Sequence, residues 1–212
     1  FTGSASLNMS ASNLGSWAVP SATSSSEIWL IIGILLAARS TLADHYHVPS
    51  GSMETALLPG DHVVVNKLAY GLRVPFTKHV LGFAEAPLRG DVVILDSPDD
   101  GVRLIKRVAA LGGDTVDLRG GHLFINGRPM AVAGRVNVER FGERDVILNL
   151  DVGGGPDIRG LVVPDGEVLL LGDHRGASRD SRWFGTVPVG ELYGRAGGVF
   201  WRSGEGPTWQ AL

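Results

Sequence analysis

Val102-Arg-Leu-Ile-Lys-Arg-Val-Ala-Ala-Leu111 is the stretch on which the reading of this chain turns. In an extended strand, successive side chains point to opposite faces. One face would carry Val102, Leu104, Lys106, Val108 and Ala110, and the other Arg103, Ile105, Arg107, Ala109 and Leu111. Short runs of the same kind lie on both sides: His62–Leu68, Asp91–Leu95, Thr115–Arg119, His122–Ile125, Asp145–Leu150, Glu167–Leu171 and Gly198–Trp201. Gly, Pro and Asp separate them, and Gly120-Gly121 and Asn126-Gly127 are hairpin-turn signals. This spacing predicts a mainly β domain of antiparallel sheets over residues 45–212, a sandwich or barrel and not βαβ units. No long amphipathic helix pattern follows residue 44, and no repeat of fixed period is present.

The N-terminal part has another character. Residues 1–27 hold nine serines, no Lys or Arg and one acid, Glu27, which predicts a polar, flexible arm. Ile28 to Ala38 is an unbroken apolar run. Continued to Ala43 as a helix it would span about 24 Å, short of the ~30 Å hydrocarbon core of a bilayer. A membrane anchor, a signal-peptide core and a buried helix compete. The second lacks a basic leading region and the third lacks polar punctuation on one face, so 28–44 is read as an apolar anchor helix.

Composition narrows the chemistry. Apolar residues make up 44% of the 212 and charged residues 19%, enough apolar surface for a core. The net charge is −3 and no Lys/Arg run exceeds two residues, which argues against a nucleic-acid partner. Without cysteine there is no disulfide, thiol nucleophile or thiolate metal site. The histidines are scattered, and His45 and His47 have poor spacing for a shared metal, so no metal or cofactor is expected.

Only three amines are available: Lys67, Lys78 and Lys106. Lys106 is the one polar group on its apolar strand face. An ammonium pressed into such a face loses hydration and its pKa falls, which makes a general base. By the same arithmetic Lys67 shares a face with Val63, Val65 and Ala69, and pattern alone does not choose between them. Pro49 and Gly51 force a bend that exposes Ser50 and Ser52, with backbone N–H groups beside them for an oxyanion. Leu171 to Gly185 packs charges and hydroxyls between glycines; Asp180 could pair with Arg182, with Ser178 and Ser181 completing the network. A Ser-His-Asp triad through His174 is conceivable, although no G-x-S-x-G or S-x-x-K motif is present.

These pieces, in this order, resemble bacterial type I signal peptidase. The resemblance lies in an apolar segment running into Pro49-Ser-Gly-Ser-Met53, then Leu58-Pro-Gly-Asp61, Lys67-Leu-Ala-Tyr-Gly71 and Arg89-Gly-Asp-Val-Val93. It continues through Ile105-Lys-Arg-Val108 with Gly113-Asp114, and Gly172-Asp173-x-Arg175 with Ser178-x-Asp-Ser-Arg182. It implies a membrane-anchored β-rich catalytic domain on the extracytoplasmic face of the cytoplasmic membrane, touching lipid. Its substrates would be preprotein signal-peptide segments cut after small residues of Ala-x-Ala type. It implies Ser52 as nucleophile, Lys106 as base, and Ser50 hydroxyl with the Ser52 N–H as oxyanion hole. Ser178 would hold the Lys106 amine, with Asp180 and Arg182 bracing that loop. Conjugation-pilus processing peptidases, self-cleaving repressor-type proteins and an inactive membrane-anchored scaffold are the alternatives. Two departures stand out: Met53 is followed by Glu-Thr-Ala-Leu where the family has x-Pro-Thr-Leu, and His174 occupies the place of an Asn.

Overall fold

The computed structural model describes residues 26–32, 43–73, 80–81 and 85–212. The chain divides into two units, Phe1–Leu36 and Ala37–Leu212. In the first, residues 26–32 are helical and exposed. The arm 1–25 and residues 33–42 lie outside the described residues. Among the described residues no helix is long and apolar enough to cross a membrane.

The second unit is a succession of strands. They begin with β1 (Ala43–His47), β2 (His62–Asn66), β3 (Leu72–Arg73), β4 (Val80–Leu81), β5 (Val92–Asp96) and β6 (Arg103–Leu111). Next come β7 (Thr115–Arg119), β8 (His122–Ile125), β9 (Arg128–Pro129), β10 (Val138–Phe141) and β11 (Arg144–Ile147). The last are β12 (Ile158–Val162), β13 (Glu167–Leu171), β14 (Val187–Pro188), β15 (Gly194–Arg202) and β16 (Gly206–Ala211). The main sheet runs β1-β2-β15-β5-β6-β13-β14, with β16 on β15, and a second sheet runs β12-β7-β8-β9. Every strand pair is antiparallel, so the mainly β expectation holds. At the turn from β8 to β9, Asn126 has φ 53° and Gly127 φ 76°. These are the two positive values that a two-residue hairpin turn requires.

Three local expectations are corrected. Ala43 and Asp44 are the first residues of β1, paired with Asn66 and Val65, so the 28–44 span does not remain helical to its end. Lys67 is not on a strand face: β2 stops at Asn66, whose side chain accepts from the Leu68 N–H and opens a 3₁₀ turn, Lys67–Tyr70. In β6 the alternation breaks near Ala109, because Leu169 pairs with Ala110 but Leu170 with Val108. The extra residue brings Ala109 and Ala110 into the same core cluster, with Leu118, Leu123 and Leu169. A separate cluster of Val48, Met53, Leu57, Val63, Val92, Ile94 and Ile105 underlies the bend that carries Ser52.

Candidate active site

Ser52 sits in the 3₁₀ turn Gly51–Met53, which Ser50 precedes in extended conformation. The turn is pinned from below, because Met53 and Leu57 are buried in the core while Ser52 stays half-buried at the surface. As an early residue of a helical turn, Ser52 has an N–H with no carbonyl of the turn to receive it. The Ser50 hydroxyl lies 3.4 Å from the Ser52 hydroxyl.

Lys106 comes from the middle of β6 and is only 2% exposed. Buried Val93 stands opposite it on β5. β13 reaches only to Leu171 opposite Arg107. Among the described residues, Arg103–Lys106 therefore has β5 on one side and an unpaired edge on the other. The Lys106 Nζ lies 2.7 Å from Ser52 Oγ and donates to the Ile105 carbonyl at 3.0 Å. Burial pulls its pKa down from 10.5 to about 8, against the upward pull of Asp180 and Asp173, with Arg182 assisting the fall. Loss of hydration wins because an ammonium in a low-dielectric site has little to replace its water.

Lys67 has the opposite environment. Its ammonium pairs with Asp44 at 2.9 Å and lies over the Tyr193 ring, 5.0 Å from the centroid. Burial lowers its pKa, but hydrogen bonding to Tyr193 and Asp44 outweighs this and the net shift is upward. The structure thus separates the two lysines that pattern left level.

The loop after β13 walls this region. Asp180 and Arg182 pair as expected, both side chains wholly buried: Nε and Nη2 each lie 2.7 Å from a carboxylate oxygen. Asp180 also accepts from the Gly172 N–H, and Arg182 donates to the carbonyls of Gly154 and Arg175. Two further buried pairs escaped sequence reading, Arg107 with Asp173 and Arg175 with Glu139. No local spacing joins such partners. Ser178 differs from expectation: its hydroxyl is buried without a hydrogen-bond partner and does not hold the Lys106 amine. That amine is turned toward Ser52 and the Ile105 carbonyl. A Cβ at Gly172 would sit 2.2 Å from Ser178 Oγ and 2.5 Å from the Ser52 carbonyl, so only glycine fits there. The His174 ring is engaged elsewhere, with Nε2 2.6 Å from Asp151 and Nδ1 3.6 Å from Glu54, which leaves the triad reading without support.

Between the Ser52 bend and the free edge of β6 lies a cavity of about 20 Å³, lined by Val48, Pro49, Met53, Leu104 and Ile105 with Ser50, Ser52, Arg103 and Lys106. The arrangement is an alcohol and a dehydrated amine in contact, next to an open strand edge and a very small apolar hollow.

Residues 22–201 match the family model of signal peptidase, peptidase S26. Signal peptidase I of Pseudomonas aeruginosa is 32% identical over 208 residues, covering 86% of this chain and 72% of the relative. Thylakoidal processing peptidase 1 of Arabidopsis thaliana is 31% identical over 167 residues, covering 77% of this chain and 43% of that protein. The crystal structure of a signal peptidase I from Enterococcus faecalis is 29% identical and covers 52% of this chain and 97% of its own, with a TM-score of 0.38. On the family match and the Pseudomonas relative, this chain belongs to the signal peptidase family, peptidase S26.

Proposed function

We propose that Ser52 and Lys106 are the nucleophile and general base with which this serine peptidase cleaves signal peptides from preproteins. The observation that carries the assignment is the 2.7 Å approach of a buried amine to Ser52 Oγ. Neutral Lys106 takes the Oγ proton as Oγ attacks the scissile carbonyl carbon. The resulting oxyanion is received by the Ser52 N–H and the Ser50 hydroxyl, once that hydroxyl swings away from Ser52 Oγ. The Lys106 ammonium protonates the departing amine, leaving an ester on Ser52. Lys106 then deprotonates a water, which hydrolyses the ester. Ser178, with its buried and unpartnered hydroxyl, is the group that steadies the amine when Ser52 is acylated. Asp180 and Arg182 brace the loop that carries Ser178.

The unpaired edge at Arg103–Lys106 supports binding of the substrate as an added strand. The cavity of about 20 Å³ has room for little more than one methyl-sized group, which supports cleavage after small residues such as Ala. The apolar run Ile28–Ala38 supports a membrane anchor, with the β domain on the extracytoplasmic side. Exposed Trp183, Trp201 and Trp209 are suited to a lipid headgroup layer.

The test is cleavage of a purified preprotein by the chain and its Ser52→Ala and Lys106→Ala variants in mild detergent. Both variants should fold and lose turnover. Near-normal cleavage by either would sink the assignment.

A further inference from the structure

We propose that His174 is a positioning residue for Ser52: wedged between Asp151 and Glu54, its imidazole ties the nucleophile turn to the loop that walls Lys106. The inference rests on the Ser52/Lys106 reading. It starts from two separate stretches of the chain, the Met53-Glu-Thr-Ala turn and the loop that carries His174. They are far apart in sequence and lie against each other in the fold.

The backbone makes the first tie, because the His174 N–H donates to the Ser52 carbonyl at 3.2 Å. The ring makes the second. Its Nε2 is 2.6 Å from Asp151 Oδ1, a short hydrogen bond to a carboxylate, and its Nδ1 is 3.6 Å from Glu54 Oε2, a separation that makes an ion pair when the ring is protonated. Asp151 is the loop's end, with its side chain largely exposed. Its N–H donates to the Asn149 side chain, and the Asn149 backbone bonds Asp173 and Arg175. Glu54 is the turn's end and folds over it, so closely that a Cβ at Gly51 would meet Oε1 at 2.5 Å.

When it carries a proton on each nitrogen, an imidazole ring can donate to both carboxylates at once. The nearest other charges are already spent, Asp173 on Arg107 and Arg175 on Glu139. His174 acts through Ser52 and does not touch the reacting atoms. Its effect is on the geometry between Oγ and Nζ, where a shift of ~1 Å costs up to about a hundredfold in rate.

The experiment is steady-state cleavage of a preprotein by the full chain in detergent, across pH, with His174→Ala, Glu54→Gln and the double variant. His174→Ala should lower kcat roughly tenfold with KM unchanged. The midpoint of the pH–rate curve should stay where it was, because the surroundings of Lys106 are untouched. Glu54→Gln, at a partly exposed site that tolerates an amide, should lower kcat several-fold. The double variant should be no slower than His174→Ala alone. Unchanged kcat in Glu54→Gln, multiplicative losses in the double variant, or a loss confined to KM would overturn the proposal. If His174→Ala does not fold, Glu54→Gln decides alone. Failure of the dyad reading is distinguishable, since it would appear as cleavage by Ser52→Ala.

Discussion

Lys106→Met should make the protein more stable at neutral pH while abolishing its activity. The native site holds the Lys106 pKa at about 8 against 10.5 for an unhindered lysine. In the charged form, burial therefore costs the native state about 3 kcal/mol, at ~1.36 kcal/mol for each tenfold change in proton affinity. The sign follows from proton counting. Between pH 8 and 10.5 the unfolded chain holds the lysine proton and the native state does not, so stability rises with pH across that window. Below it both states are protonated and the full cost is felt. Methionine has a similar length and no charge, so it removes the cost at every pH. It also forfeits the contacts to Ser52 and the Ile105 carbonyl, worth about 1 kcal/mol each at most. The net gain at pH 7 should be about 1–3 kcal/mol. The cleaner quantity is the change in the wild-type-minus-variant difference, which should shrink by about 2.5 kcal/mol between pH 7 and pH 10. Urea unfolding of both proteins in the same detergent at several pH values measures it. A difference that stays flat over this range would refute the claim that Lys106 is a dehydrated amine, and the base assignment with it.

Cleavage by the wild-type chain should rise with pH through about 8 and then level off, falling about tenfold per pH unit below the midpoint, as the Lys106 pKa requires. A midpoint near 6.5 in kcat/KM would instead indicate a histidine. Ser50→Ala should lower kcat by about a hundredfold with little change in KM, in keeping with loss of one oxyanion donor; an unaltered kcat would remove Ser50 from the mechanism. Gly172→Ala should lose most activity, since the added methyl meets Ser178 and the Ser52 carbonyl, and stopped-flow acylation at Ser52 would show it. Asp180→Asn leaves the buried Arg182 guanidinium without its counter-charge. That should destabilise the fold by about 3–5 kcal/mol and lower Tm by roughly 10 °C in a melting scan.

What could be read from the sequence was whatever depends on neighbours along the chain. Alternation over Arg103–Val108 and the Asn126-Gly127 turn are such features, and both were legible. The choice between Lys67 and Lys106 was not, because both sit in apolar runs and the difference is made at a distance. Asp44 reaches Lys67 across the β1–β2 pair, and the cap at Asn66 turns Lys67 off the strand. Only the family resemblance pointed to Lys106. The bulge at Ala109 has no composition signal, since two alanines serve on either face. Arg107–Asp173 and Arg175–Glu139 join residues brought together by the sheet order alone. The side-chain direction of Ser178 was not legible either: its hydroxyl faces Gly172 and makes no hydrogen bond in this state.

The buried ion pairs around the site explain how the amine keeps a lowered proton affinity in a loop so rich in acids. Asp180 and Asp173 both pull the Lys106 pKa upward, as a carboxylate beside an amine does, and an unpaired one pulls hardest. Neither is alone. Asp180 is held at both oxygens by Arg182, and Asp173 at both by Arg107. Each carboxylate thus presents Lys106 with a nearly neutralised pair, and the Arg182 charge acts in the opposite direction. Buried pairs of this kind are weak evidence for stability, because desolvation cancels much of their attraction. Their contribution here is to let a hydrogen-bonded polar loop exclude water from Lys106 without restoring its ordinary proton affinity. An apolar loop would dry the amine equally well, but it would lack the carboxylate that accepts from the Gly172 N–H and the guanidinium that gathers the Gly154 and Arg175 carbonyls. Those bonds fix the backbone at Gly172, where contact with Ser52 leaves no space for a side chain. The same arginine–carboxylate pairs therefore do two things, holding the nucleophile's surroundings in place and leaving its base free to accept a proton.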